Sequence, residues 1–265
     1  MKRKLLNSFI LPFILIFSYV SAEDVIFVKS KDEVKAKLIN LAGKQRMLSQ
    51  RVAKNYFYVA KGSNKSSASK QLEKSLTDFA RTQRKLKKTI NDKEIVNLID
   101  FVDMSLEEFR DILKAKYSLD NGIIILDLSE SMLEGSDYIV KALSKNVKSN
   151  NIIDMAGKQR MLSQRIAKYY IAYQNGIRDD NTILQMKDSV EEFNKILEKL
   201  ISNDINTPEI NKELVAVSKL WSIVNKFYLN IKKGGLPKIV YASTDKITNK
   251  MDKIVGLYVN ELEKK

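Results

Sequence analysis

Apolar residues recur along this chain at spacings of three and four, and no segment alternates for long with a period of two, so the pattern predicts helices throughout. In the first half the stripes are Leu38, Leu41, Leu48 and Val52; Leu72, Leu76, Phe79, Leu86 and Ile90; Ile95, Leu98, Val102, Leu106, Phe109 and Leu113; and Ile125, Leu128, Met132, Ile139 and Leu143. They predict helices over 30–61, 66–91, 93–117 and 124–147. The second half repeats the pattern through Met186, Val190, Phe193, Leu197 and Leu200, then Ile210, Leu214, Val217, Trp221 and Val224, then Val240, Ile247, Met251, Ile254 and Tyr258, with Trp221 read as core packing. Breaks are expected at Gly62 to Ser69, Asp120-Asn121-Gly122, Gly176 to Asn181, Thr207-Pro208 and Gly234 to Pro237.

The likeness of the two halves is a true repeat. Residues 39–62 match 153–176 at a constant offset of 114, and from Ala42 to Lys54 only Val52, opposite Ile166, differs. The same offset pairs Gln71 with Gln185, Phe79 with Phe193 and Leu143 with Leu257, so the whole unit is duplicated. A helix that is apolar on one side must bury that side, and four such helices per unit predict an all-α fold of two tandem antiparallel four-helix bundles. The expected domains are residues 30–147 and 148–265. Their join, Ser144 to Asn151, lacks glycine and proline. If it bends, the units can pack as an internal pseudo-dimer with Arg46 facing Arg160; if it runs through as helix, a second chain must supply each facing partner.

A second stripe runs along the repeated segment: Ile39, Ala42, Arg46, Ser49, Ala53, Tyr56 and Ala60, and again Ile153, Ala156, Arg160, Ser163, Ala167 and Tyr170. Small residues at this spacing let two helix backbones approach closely, and an arginine sits in the middle of each seam. Between Asn40 and Lys61 there are five basic residues and no acidic one, so nothing on the same helix neutralises Arg46. A guanidinium keeps its proton when buried and therefore needs an acceptor from elsewhere. That acceptor is either a carboxylate on a neighbouring helix, with Glu73, Asp78, Glu107, Glu108, Asp111, Glu134 and Asp137 as candidates, or a bound anion. Ser49 and Gln50, with Ser163 and Gln164 in the second copy, are placed to add hydrogen bonds to the same acceptor. Arg51 lies about 140° round the helix and is read, with Lys44, Lys158 and Arg165, as a basic rim.

Charge and the first residues refine this picture. Lys2, Arg3 and Lys4 precede a mostly apolar run from Leu5 to Val20, and Val20-Ser21-Ala22 offers small residues, which reads as a cleavable signal peptide over residues 1–22 and a periplasmic destination. The net charge of +14 becomes +11 once those residues are removed. For an exported chain without nucleic-acid motifs, that surplus points to anionic ligands or envelope partners and not to nucleic acid. Histidine and cysteine are absent, which removes the usual general base, the thiol nucleophile and most zinc or copper ligand sets. No phosphate loop, nucleophile elbow or dinucleotide fingerprint occurs, so the chain reads as a non-enzyme without metal or cofactor.

Residues 40–51, Asn-Leu-Ala-Gly-Lys-Gln-Arg-Met-Leu-Ser-Gln-Arg, closely resemble the signature of the periplasmic sensor module of PilJ-type chemoreceptors and are similar to the P-box of the NarX and NarQ nitrate sensor kinases. The resemblance recurs in the second copy. In the nitrate sensors the first arginine of this run holds the anion where two first helices meet, so the resemblance implies that Arg46 and Arg160 take that place. It also implies a sensor of a small nitrate-like anion, relaying to a membrane chemoreceptor or sensor kinase, as a homodimer or an internal pseudo-dimer. The sequence departs from the kinases at Lys44, Gln45 and Gln50, which favours the PilJ-like branch and weakens the choice of nitrate. The competing expectation is a structural or interaction module of the cell envelope, in which a carboxylate sits against Arg46.

Overall fold

The computed structural model describes residues 31–144 and 150–263, so the expected leader (1–22) and the middle of the join (145–149) lie outside the described residues. Eight α-helices follow in order: α1 (Lys31–Lys61), α2 (Lys65–Thr89), α3 (Lys93–Ile112), α4 (Leu119–Ser144), α5 (Asn150–Gln174), α6 (Asp180–Ile201), α7 (Pro208–Leu229) and α8 (Pro237–Glu263), with a short 3-10 turn at Ile231–Lys233. No strand occurs among the described residues, and none of their helices is long and apolar enough to cross a membrane. The all-α expectation is met.

Local chemistry sets the ends. Gly62 and Gly176 sit at φ 73° and φ 108°, left-handed backbone that stops α1 and α5. Asp92 accepts from the amides of Glu94 (2.9 Å) and Ile95 (3.2 Å), Asp179 from Thr182 (2.8 Å), and Thr207 from Ile210 (3.3 Å) just before Pro208. One expected break moves. The α3–α4 connection falls at 113–118 and not at Asp120-Asn121-Gly122, because the Ser118 hydroxyl accepts from the Asn121 amide (3.1 Å) and starts α4 there. Gly122 is then a packing glycine inside α4: a Cβ on it would lie 3.0 Å from Ile177 Cδ1 and 3.3 Å from Phe57 Cε1.

Helices α1–α4 form one antiparallel bundle and α5–α8 another, and residues from Lys31 onward make one compact unit. The two bundles share a wall. Helix α1 packs along α5 more extensively than along any helix of its own bundle. The two run parallel and in register: Lys61 Nζ donates to the Gln174 carbonyl (2.6 Å) at one end, and Arg160 Nη2 donates to Asn40 Oδ1 (3.0 Å) at the other. The seam residues Ile39, Ala42, Ser49, Ala53, Ile153, Ala156 and Ala167 are all buried, so the small-residue stripe faces the sister stripe within one chain. Flanking cores complete the packing. Phe79, Phe109 and Met132 fill the first bundle, while Phe193 stacks on Trp221 at 4.0 Å in the second.

Candidate functional site

The shared wall brings the two repeated arginines together. Arg46 reaches past Gly157 and Arg160 past Gly43: the Nη2 atom of each lies 3.4 Å from where a Cβ on the opposite glycine would stand. Each guanidinium therefore lies directly against a glycine of the sister helix, at a distance where a methyl group would just touch it. Both arginines are 1% exposed, and burial draws the Arg160 guanidinium below its ordinary pKa, with nearby Arg46 adding in the same direction.

Carboxylates from other helices meet them. Arg46 Nη1 donates to Asp137 of α4 (2.8 Å) and Nη2 to Asp154 of α5 (2.6 Å). Arg160 Nη1 pairs with Asp252 of α8, and Nη2 donates to Asn40 of α1. Asn40 and Asp154 are repeat equivalents, 114 residues apart, so the two halves are built alike yet charged differently: Arg46 has two acids, Arg160 one acid and one amide. Burial pushes Asp137 up, but hydrogen bonds from Lys141 and Arg46 outweigh it and hold its carboxyl below the usual range. The Nε atom of each arginine is buried without a protein partner.

Of the acids the sequence offers to Arg46, Asp137 meets it, while Asp154 and Asp252 are not among those candidates. The expected supporting residues turn elsewhere. Ser49 and Ser163 donate back to the carbonyls of Arg46 (2.8 Å) and Arg160 (2.9 Å), the usual outlet for a hydroxyl inside a helix. Gln50 donates to the Ser129 carbonyl of α4 (2.8 Å) and Gln164 to Thr248 of α8 (2.6 Å), so each ties its motif helix to the last helix of its own bundle. Among the rim residues, Lys158 pairs with Glu192 (2.8 Å), and Lys44 and Arg51 are half-buried. Arg165 is no solvated rim group: it grips both oxygens of Glu130 (3.1 and 2.6 Å) and donates to Ser189 (3.2 Å) and Gln185 (2.8 Å).

Two turns further along lies a polar layer to which the sequence reading gave no role. Lys54 and Lys168, equivalent residues, are fully buried. Each reaches across to the other bundle: Lys54 Nζ to Asp245 of α8 (2.7 Å), and Lys168 to Glu130 of α4. Gln71 (2.9 Å) and Gln164 (3.3 Å) also donate to Asp245. Burial brings both lysines down to about 8 against the pull of their acids. Burial also pushes Glu130 up, but Lys168 and Arg165 outweigh it and hold the carboxyl at about 2. The signal was present in the sequence: both lysines belong to the identical run and have no acid within two helical turns on either side. Likewise Gln45 and Gln159 donate to the carbonyls of Phe79 (3.1 Å) and Phe193 (2.9 Å), fixing α2 and α6 to the motif helices in the same way.

The motif helices of a helical bundle thus meet in a shared polar seam, and no group of three or more potential metal ligands occurs among the described residues. The profile of PilJ, the type IV pili methyl-accepting chemotaxis transducer N-term family, matches residues 27–97 and 142–246, and the chain belongs to that family. In the transducers that carry it, this module is periplasmic. No curated protein and no solved structure matches the chain.

Proposed function

We propose that the chain is an exported, non-catalytic PilJ-type sensory subunit, with the equivalent of a module dimer fused into one polypeptide, that relays to a membrane chemoreceptor or sensor kinase. The observation that carries this is the parallel, in-register packing of α1 on α5, which gives each motif helix its sister within the same chain. In this reading the paired arginines are a fixed joint. Their charge is answered by Asp137, Asp154 and Asp252, so a small oxyanion would have to compete with carboxylates already in place. The test is sedimentation of the mature protein with calorimetry against nitrate, nitrite and small carboxylates. A monomer with no heat of binding is expected, and Arg46→Ala should lower the melting temperature equally with and without these anions. A stable dimer through α1 would refute the fused arrangement.

A second reading rests on the buried Nε atoms of Arg46 and Arg160, which have no protein partner. A small anion such as nitrate accepting from both would complete the two guanidinium groups. Under it, saturating nitrate raises stability by about 3 kcal/mol at a hundred times Kd, and Arg46→Ala abolishes the gain.

A further inference from the structure

The two repeats differ at the outer end of their first helices, where Phe57, Tyr58 and Val59 stand opposite Ile171, Ala172 and Tyr173. In the first repeat a cavity of about 340 Å³ opens between α1, α2 and the α3–α4 connection, lined by Tyr56, Leu72, Glu73, Leu76, Leu113 and Tyr117 among others. Its walls are mainly apolar, with two tyrosine rings whose centroids stand 5.9 Å apart at 47°. The Tyr117 hydroxyl donates to the Asn175 carbonyl (3.2 Å), which pins that ring to the end of α5. The Tyr56 hydroxyl is buried with no hydrogen-bond partner, a costly arrangement that a ligand's acceptor or donor would relieve.

Charge at the cavity is out of character with the rest of the molecule. In a chain of net charge +14, Glu73 lines this cavity, and its carboxylate has no ion pair or hydrogen bond among the described residues. The nearest lysine along the helix, Lys74, is taken by Asp78 (3.0 Å). In the second repeat the residue 114 further on is Lys187, and Tyr170, the equivalent of Tyr56, also has a buried hydroxyl without a hydrogen-bond partner but different neighbours. Gly235 comes so near that a Cβ on it would fall 1.8 Å from Tyr170 Oη, and Tyr228 packs edge-on against Tyr170 at 5.8 Å. The first repeat thus joins a cavity with aromatic walls to an unpaired acid, where the second repeat carries a lysine.

We propose that the first-repeat cavity binds a small amine carried on an apolar or aromatic body. The body lies against Leu72, Leu76 and Leu113, and the ammonium sits between the tyrosine faces and the Glu73 carboxylate, where the ring quadrupoles and the acid both favour a cation. This deepens the sensory reading and rests on it for the biological role alone, since binding is read on the isolated chain.

The experiment is calorimetry of the mature protein with 2-phenylethylamine, its neutral analogue 2-phenylethanol and its anionic analogue phenylacetate. One-to-one saturable binding of the amine is expected, about tenfold tighter than the alcohol, with no binding of the acid. Glu73→Gln should weaken the amine about tenfold and leave the alcohol unchanged, and because Glu73 is exposed the variant should melt with the parent protein. Tyr117→Leu should weaken both ligands, while Lys187→Glu in the second repeat should alter neither. Absence of saturable amine binding, equal affinity for amine and alcohol, or indifference to Glu73→Gln would each overturn the proposal. None of those results touches the monomer and nitrate measurements that test the fused sensory module.

Discussion

Replacing Asp245 by Asn isolates the energetics of the buried lysine layer. Lys54 is fully buried, and its amino group titrates at about 8 with Asp245 beside it. Without the carboxylate, burial is left almost unopposed and the pKa falls further, below neutrality. A lysine has an exit that an arginine lacks: it can give up its proton. At pH 7 the charge-related loss is therefore capped by the distance from about 8 down to 7, or about 1 kcal/mol, well below the 3–5 kcal/mol typical of a broken buried pair. Weakened hydrogen bonds from Gln71 and Gln164 add about 1–2 kcal/mol at any pH. The sign follows from linkage. The folded pKa lies below the unfolded 10.5, so the unfolded chain holds more protons above pH 8 and stability rises with pH there. In the variant that rise begins at lower pH, so by pH 9 it has closed the charge-related part of the gap to the parent. Urea unfolding should thus show Asp245→Asn costing about 2–3 kcal/mol at pH 7 and about 1–2 kcal/mol at pH 9. Asp252→Asn, beside an arginine, should cost the same at both. An equal or larger cost for Asp245→Asn at pH 9 would refute the view that Asp245 keeps Lys54 charged.

Acid should act through the opposite limb: Glu130 titrates at about 2 in the fold against 4.5 unfolded, so its stabilisation, present above that unfolded value, is lost as pH falls from about 4.5 toward 2. Melting curves at pH 6, 4 and 3 should show the drop, and Glu130→Gln should flatten it. Gly235→Ala should destabilise by about 1–3 kcal/mol, because its methyl would collide with Tyr170 Oη, and adding Tyr170→Phe should recover part of the loss in chemical denaturation.

The repeat also explains how one chain can hold an asymmetric polar interior. Each bundle offers one acid to the other bundle's lysine, but at positions one residue out of step: Glu130 corresponds to Thr244, and Asp245 to Ser131. Separate identical subunits could not diverge in this way. Fusion frees the copies to differ, as Asp154 and Asn40 do at the arginines and Glu73 and Lys187 do at the outer end.

Much of this architecture could be read from periodicity alone. The spacing of apolar residues marked seven of the helices, the constant offset of 114 exposed the duplication and with it the helix at α5, and the stripe of small residues marked the face on which α1 meets α5. These are local signals: a helix advances by a fixed angle per residue, so spacing along the chain is spacing around a cylinder. The partners of buried charges were beyond reach for the complementary reason. Asp137, Asp154 and Asp252 come from three helices, and Lys54 and Asp245 stand 191 residues apart, so only the docking of one bundle on the other decides which acid meets which cation. Sequence set which side chains would require neutralising, because Arg46 and Arg160 share no helical turn with an acid. Only the fold decided which groups come within about 3 Å of a guanidinium buried at 1% exposure, and the neighbouring helices bring Asp137 and Asp154 to Arg46.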